Sequence, residues 1–124
     1  MKIHDFRDLN VWKEGRVLRR NVSSLTKRFP PAEKFRLSDQ MLRASRSFTA
    51  NIAEGFGRFH YQENIQFCRS ARGSAIELLD HFTCALDEEY ITEKEFLQFE
   101  QQIQKCVKIL NGYISYLKKA KAAE

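Results

Sequence analysis

Residues 37–59 read LSDQMLRASRSFTANIAEGFGRF, and this stretch decides the fold. Its apolar residues recur at steps of four, three, four and four, which places them on one face of a helix: Leu37, Met41, Ala44, Phe48 and Ile52. A polar row follows beside this face: Gln40, Ser47, Asn51 and Glu54. A solvated helix surface usually carries long charged side chains, so a row of small polar ones indicates a second packed side. Gly55 and Gly57 predict the helix end, because glycine readily adopts the left-handed conformation.

Three further stretches repeat apolar residues at alternating steps of three and four, which is typical of amphipathic helices that pack together. Pro30 and Pro31 interrupt the pattern between the first and second helices. The pattern predicts an all-α protein, folded as an antiparallel up-down-up-down four-helix bundle. We expect a single domain over residues 1–124, with helices at about 8–28, 38–55, 61–87 and 93–119.

Local signals suggest how individual helices begin and pack. Asp8 is a candidate N-cap for the first helix, and Thr92 with Glu95 forms a capping-box pattern for the fourth. Gly15 lies on the apolar face of the first helix, where it would allow another helix to approach closely. The lysine-rich end of the fourth helix suits a helix C-terminus, and we expect it to fray.

Composition limits the class of protein. The 124 residues contain no run of eighteen apolar residues, and the first five lack the apolar stretch of a signal peptide. The three cysteines are odd in number, lack CxxC pairing and occupy apolar helical positions: Cys68, Cys84 and Cys106. They predict buried thiols in a reducing compartment, and hence a cytoplasmic protein without a membrane role.

Charge is unevenly distributed along the chain. The formal net charge is +5, but residues 1–60 and 101–124 are basic while residues 61–100 are acidic. Cations at helical spacing on the first two helices and at the end of the fourth predict a nucleic-acid-binding surface: Lys13, Arg16, Arg19, Arg20, Arg43, Arg46, Lys118, Lys119 and Lys121. The alternative is a solvated face that pairs with the acidic stretch, within the chain or between subunits.

The polar row on the second helix has a counterpart on the third. If the two helices are antiparallel neighbours, these rows meet and form a structural polar network: Gln40, Arg43, Ser47, Asn51, Glu54, Ser74 and Glu77. In this interpretation Ser70 also contributes, and Arg43 or Arg72 neutralises a carboxylate. A ligand-binding or nuclease site is the alternative interpretation of the same row.

Patterns for catalysis or cofactor binding are not found. The sequence contains no Glu-x-x-His pair for a di-metal site, no strained nucleophile turn and no glycine-rich phosphate loop. We therefore predict a protein that is not an enzyme, with no catalytic residues, no metal and no cofactor. Phe56, Phe59 and Tyr61 surround the turn after the second helix and predict a plug at the bundle end; a subunit contact or a base-stacking platform is the alternative.

Several of these residues resemble the signature of a known family. Gln40, Arg43-Ala44, Ser47, the run 51–55 and Arg58 are similar to the four-helix bundle family named for proteins encoded within intervening sequences of bacterial 23S rRNA genes. Further matching positions lie at both sides of this stretch: Leu9–Trp12, Phe29-Pro30, Glu33, Leu37, Ala71–Ser74 and Glu77. Ser45 and Arg46 depart from the family, which usually has small or apolar residues there.

The resemblance implies properties that the pattern of residues does not supply. It implies a ring-shaped homo-oligomer, namely a homopentamer, with RNA or DNA and a reverse transcriptase as partners, since the accessory protein of diversity-generating retroelements is similar to this family. Our prediction is an oligomeric bundle that binds nucleic acid through a basic surface, without sequence specificity. The alternative is a protein-interaction or scaffold module whose charges serve self-assembly.

Overall fold

The computed structural model describes residues 3–124 as an all-helical chain, with no strand in that range. The four helices are α1 (Asn10–Thr26), α2 (Leu37–Phe56), α3 (Tyr61–Asp87) and α4 (Glu93–Ala122). Short 3-10 helices, Phe6–Asp8 and Pro31–Glu33, precede α1 and α2. The predicted all-α class is confirmed, and the arrangement is consistent with the predicted four-helix bundle.

Contacts at the two ends show how the helices alternate in direction. At one end the Arg28 guanidinium lies 2.7 Å from the Glu95 carboxylate, and the Tyr90 hydroxyl donates to Glu33 at 2.7 Å. At the other end Lys121 donates to Gln62 at 2.6 Å. α2 packs against α1 and α3, α3 packs against α4, and α1 meets α4 less extensively.

The predicted apolar faces form the core. Phe48, Met41 and Ile52 of α2 are almost completely buried, as are Leu18 and Val22 of α1. The other helices supply a similar row of fully buried side chains: Cys68, Ala75, Leu78, Phe82, Ile103, Cys106 and Leu110. The 3.6-residue period therefore places these side chains in one shared interior.

Two glycines allow close approach between helices. A Cβ at Gly15 would lie 2.7 Å from the Phe48 ring and 2.8 Å from Thr49 Cγ2, so α1 and α2 touch where the sequence predicted it. A Cβ at Gly55 would lie 2.7 Å from Asn64 Oδ1 and 2.9 Å from Phe67 Cβ. Gly55 thus serves the contact between α2 and α3.

Several local predictions need correction. Asp8 does not cap α1; its carboxylate accepts from the backbone N–H groups of His4 and Asp5, and α1 begins after Leu9 without a side-chain cap. No glycine in residues 3–124 has a positive φ, so α2 does not end in a left-handed glycine. α2 continues through Gly55 to Phe56, because Gly55 is packed inside the helix pair.

α3 is followed by a non-glycine residue in the left-handed conformation, a position that is usually occupied by glycine. Glu89 adopts φ 60°, the Glu89 N–H donates to the Leu86 carbonyl, and the Tyr90 N–H donates to the Ala85 carbonyl. This pair of bonds is the Schellman arrangement, which normally favours glycine at the left-handed position. The phenol of Tyr90, held by Glu33, fastens the turn to the start of α2.

The start of α4 agrees with its sequence signal, whereas its end does not. The Thr92 hydroxyl accepts from the Glu95 N–H at 3.1 Å and the Glu95 carboxylate accepts from the Thr92 N–H at 3.0 Å, which confirms the capping box. The helix does not fray at its lysines but continues to Ala122, where Lys121 contacts α3. Within residues 3–124 no helix is both long and apolar enough to span a bilayer.

The cysteines differ from their uniform prediction. Cys68 and Cys106 are buried, and burial raises the pKa of each thiol to about 12. Cys84 is exposed, because Phe82 and Ala85 occupy the buried side of α3 and the Cys84 side chain lies on the solvent side. The prediction of a buried thiol was therefore wrong for Cys84.

Candidate nucleic-acid interface

Four arginines gather where α1 and α2 run side by side. We call Arg16, Arg19, Arg20 and Arg46 the arginine cluster. Arg19 lies at its centre: the positive charges of Arg16, Arg20 and Arg46 all act on it, and together with partial burial they lower the pKa of its guanidinium. Burial is the larger cause. Three cations of α1 and one of α2 thus lie close enough to influence one another.

The central arginine is held in place by neutral partners. Arg19 donates to the Thr49 hydroxyl at 3.0 Å, and its guanidinium lies 5.5 Å from the centre of the Trp12 ring. Arg16 lies 5.7 Å from the same ring. Cation–π contacts and a hydroxyl orient the guanidinium groups without cancelling their charge. The spacing of Trp12, Arg16 and Arg19, four and then three residues apart on α1, could have indicated this arrangement from the sequence.

No carboxylate of residues 3–124 forms an ion pair with any arginine of the cluster. Elsewhere the chain does pair its cations: Arg28 contacts Glu95 at 2.7 Å and Lys105 contacts Glu14 at 3.3 Å. The acidic stretch therefore does not neutralise the cluster within one chain. Like charges gathered without counter-charges produce a positive potential that attracts anions.

The other predicted cations are distributed differently. Lys13 is exposed on α1, one turn before the cluster. Arg43 is exposed on α2 and lies 3.0 Å from Asp39, so its charge is locally compensated. Two of the α4 lysines lie beside α3: Lys121 donates to Gln62, and Lys118 borders the same pocket as Gln62 and Arg69, whereas Lys119 is exposed. The predicted residues thus form two separate basic regions.

The polar rows of α2 and α3 meet at a single point. Asn51 Nδ2 donates to Ser47 Oγ at 3.0 Å and to the Ser47 carbonyl at 2.9 Å, and Ser47 Oγ lies 2.9 Å from Ser74 Oγ. Ser74 donates onward to the Ser70 carbonyl at 3.2 Å. Since Ser74 uses its hydrogen there, the Ser47 hydroxyl must donate to Ser74. This chain of donors links the three side chains across the α2–α3 contact.

The remaining members of the predicted network lie outside it. Gln40 is exposed and has no hydrogen bond to α3 within the described range, whereas Glu54 pairs with Arg58 at 3.1 Å and Glu77 contacts His81 at 3.0 Å. Arg43 faces Asp39 instead of a buried carboxylate. The reason is helical geometry: positions three, four and seven residues apart drift around the helix, so the ends of each row reach solvent.

Arg72 also differs from its predicted role as a partner for a carboxylate. It donates to Asn111 Oδ1 at 2.8 Å and so joins α3 to α4. Among residues 3–124 no cluster of three or more His, Cys, Asp or Glu side chains could hold a metal ion.

The aromatic residues after α2 do not plug the bundle as predicted. Phe59 is 94% exposed, while Phe56 and Tyr61 pack only partly against the core. Together with two tyrosines of α4 they border an open cavity of about 430 Å³. We call this the aromatic cleft, formed by Phe56, Phe59, Tyr61, Tyr113 and Tyr116.

Comparison with known proteins identifies the family of the chain. A family model described as 23S rRNA-intervening sequence protein matches residues 7–112. The chain belongs to this family. The match covers α1 to α3 and most of α4, and so includes both the arginine cluster and the polar contact between α2 and α3. The family resemblance predicted from the sequence is confirmed, whereas the link to the retroelement accessory protein stays a prediction.

A solved structure shares the fold of this 23S rRNA-intervening sequence protein. It is a protein of unknown function from the S23 ribosomal protein family of Bacteroides thetaiotaomicron, 24% identical, with a TM-score of 0.78 over 85% of this chain and 95% of that chain. At this identity the similarity concerns the fold. No curated protein matches the sequence.

Proposed function

We propose that this protein is a non-enzymatic, oligomeric bundle that binds RNA or DNA through the arginine cluster, without reading base sequence. The observation that carries the proposal is the grouping of Arg16, Arg19, Arg20 and Arg46 without a carboxylate partner in residues 3–124. Lys13, one turn earlier on α1, extends the same surface.

Electrostatics favours a polyanion as the ligand. Each arginine of the cluster repels the others, and this repulsion opposes folding unless an anion relieves it. A phosphate backbone supplies regularly spaced negative charges, and binding releases its condensed counterions. Guanidinium groups also match phosphate oxygens geometrically, and the Trp12 ring and Thr49 hydroxyl hold them ready. These contacts reach phosphates and not base edges, so they do not select a sequence.

The test compares two double variants of equal charge by fluorescence anisotropy with a short labelled RNA at one low ionic strength. Arg16→Ala/Arg20→Ala should weaken binding about tenfold or more, because it removes two phosphate contacts. Lys94→Ala/Lys108→Ala removes the same charge from exposed positions on α4 and should have a much smaller effect. Absent binding by the unmodified protein, or equal losses in both variants, would contradict the proposal.

Assembly forms the second part of the proposal. The family resemblance implies a ring-shaped homopentamer of the 14.6 kDa chain, and a ring would repeat the arginine cluster around an axis. Light scattering would give the mass directly. A monomeric mass at all protein concentrations would remove the ring while leaving nucleic-acid binding to be judged on its own.

Exposed apolar side chains favour a second candidate function, a scaffold module for protein partners. Three apolar side chains on three different helices are each about half exposed: Val17, Ile76 and Leu97. Exposed apolar side chains often lie at contacts between proteins. Reversing Arg16 and Arg20 to Glu separates the two functions. Loss of the oligomer without any change in nucleic-acid binding would favour the scaffold, and a reverse transcriptase is then the protein partner to test.

A further inference from the structure

The aromatic cleft has walls suited to a flat ring. Phe59 and Tyr116 are 94% and 62% exposed, although the Phe59 ring meets the His60 ring edge-on and the Tyr116 ring lies beside that of Tyr113. The Tyr113 and Tyr116 rings are nearly parallel, with an interplanar angle of 11° and centroids 6.4 Å apart. The cavity of about 430 Å³ lies within the size range of ligand pockets. Such a surface can stack against a planar ligand.

One buried polar side chain lies among the mostly apolar residues that line the cleft. Asn64, only 7% exposed, lines the cavity; its Nδ2 donates to the Tyr113 hydroxyl at 3.1 Å, and its Oδ1 accepts a weak bond from the Cys68 thiol at 3.6 Å. A side-chain amide has two N–H donors and two acceptor lone pairs. The contacts within the described chain leave one donor and one acceptor lone pair, the combination that reads the edge of a nucleobase.

Arg58 lies at the rim of the cleft, where it pairs with Glu54 and Glu63 but keeps a side chain that is 45% exposed. Lys119 follows Tyr116 by three residues and therefore lies on the same side of α4, outside the lining of the cavity and without an ion pair in the described chain. A phosphate attached to a stacked base would lie within reach of these two side chains.

We propose that the aromatic cleft binds an unpaired base of a single-stranded nucleic acid, with the ring stacked on Phe59 and Tyr116 and its edge toward Asn64. This inference rests on the proposed nucleic-acid function and specifies its ligand. The base must be unpaired, because a base inside a duplex is stacked on both faces and cannot enter a cleft. The exposure of the aromatic rings, together with the hydrogen-bonding groups of Asn64 and the half-exposed Arg58, favours this ligand over an apolar protein segment.

Binding of three oligonucleotides of equal length tests the proposal: a single-stranded RNA, its duplex, and an abasic strand with the same phosphates. The unmodified protein should bind the abasic strand about tenfold more weakly than the RNA, which is the scale of one stacked base. Phe59→Ala should weaken RNA binding by a similar factor and leave binding of the abasic strand unchanged. Tyr116→Ala should act in the same way.

Phe35→Ala is the matched control, because Phe35 is 83% exposed in a different turn. Equal RNA binding by Phe59→Ala and Phe35→Ala would overturn the cleft as a base site; if Arg16→Ala/Arg20→Ala still weakens binding, the proposed function stands alone. No binding of any oligonucleotide by the unmodified protein would end both. A lower oligomer mass for Phe59→Ala by light scattering would instead assign the cleft to contact between copies and overturn the proposal.

Discussion

The two contacts that α2 makes with its neighbours differ in whether their polar side chains have partners inside the chain. Toward α3, Asn51 donates to Ser47, Ser47 to Ser74 and Ser74 to the Ser70 carbonyl, so each of these donors has an acceptor inside the chain. Toward α1, Arg19 and Arg46 belong to a group of like charges that no carboxylate of residues 3–124 neutralises. Both contacts also place a glycine where the helices approach.

This difference between the two contacts distinguishes a role in folding from a role in binding. A satisfied polar chain fixes helix register and needs nothing from outside. A cationic surface without carboxylate partners opposes stability through mutual repulsion, and an anionic partner that binds it would relieve that repulsion. The proposed function gives the α2–α3 contact a structural role and the α1–α2 surface a binding role, and the variants below test this distinction.

The largest expected effect is on stability, at the two glycines that lie one in each of these contacts. Gly15→Ala and Gly55→Ala should each lower the free energy of unfolding by about 2 kcal/mol, because the new methyl overlaps buried neighbours and this outweighs the gain in helix propensity. Gly73→Ala is the control; its Cβ would meet nothing within 4 Å, so it should raise stability by up to ~1 kcal/mol. Urea unfolding measures all three. Equal effects at the three glycines would refute the close approaches.

The α2–α3 polar chain should have a smaller effect, and on stability alone. Ser47→Ala should lower the free energy of unfolding by about 1 kcal/mol, since it removes the acceptor of Asn51 and the donor to Ser74. RNA binding should remain unchanged. A Ser47→Ala protein of full stability that no longer binds RNA would show that the polar chain is part of the binding site.

A paired arginine just after α1, Arg28, supplies a pH-dependent contrast with the cluster. The Arg28 guanidinium, together with the Thr92 N–H, lowers the pKa of Glu95 from 4.5 to about 2. The folded carboxylate holds its proton less tightly than the unfolded one, so its stabilisation is present above pH 4.5 and is lost as the pH falls toward 2. Glu95→Gln should be less stable by about 1 kcal/mol at pH 7.

Thermal unfolding at a series of pH values measures this difference. The two proteins should converge near pH 2, where the Glu95 carboxylate of the unmodified protein becomes protonated. A constant difference between pH 7 and pH 2 would contradict the charge-assisted contact with Arg28.

The smallest stability effect is expected for Arg43, the compensated neighbour of the cluster. Its pair with Asp39 is exposed, so Arg43→Ala should change the free energy of unfolding by less than about 0.5 kcal/mol. Because Asp39 already balances its charge, Arg43→Ala should weaken RNA binding less than Arg46→Ala does. Anisotropy titrations of the two single variants measure the difference, and a greater loss for Arg43→Ala would contradict the assignment.

The sequence predicted the helices well because their apolar period is regular and the links are short. Phe48, Leu78 and Leu110 are buried where that period places them. Caps and turns were harder: the Asp8 carboxylate caps its own 3-10 turn, and Gly55 packs against Phe67 and does not end the helix. A residue type suits several local roles, and tertiary contacts choose between them.

The candidate sites were predicted only in part. Adjacent basic rows correctly suggested that Arg19 and Arg46 lie together, but not that Arg43 is paired. Helical spacing alone could not show which members of each polar row reach the interface, since that depends on how the helices are rotated. The aromatic cleft depends on a tyrosine pair of α4 that meets a turn more than fifty residues earlier, which no local pattern reveals.

The salt dependence of RNA binding tests the central claim most directly. For a single strand, each phosphate contact contributes about −0.7 to the slope of log K against log salt concentration. Arg16→Gln/Arg20→Gln should therefore make the slope shallower by about 1.4, while Lys94→Gln/Lys108→Gln leaves it unchanged. A slope near zero for the unmodified protein, or the same slope in both double variants, would contradict the assignment of the arginine cluster to a phosphate backbone.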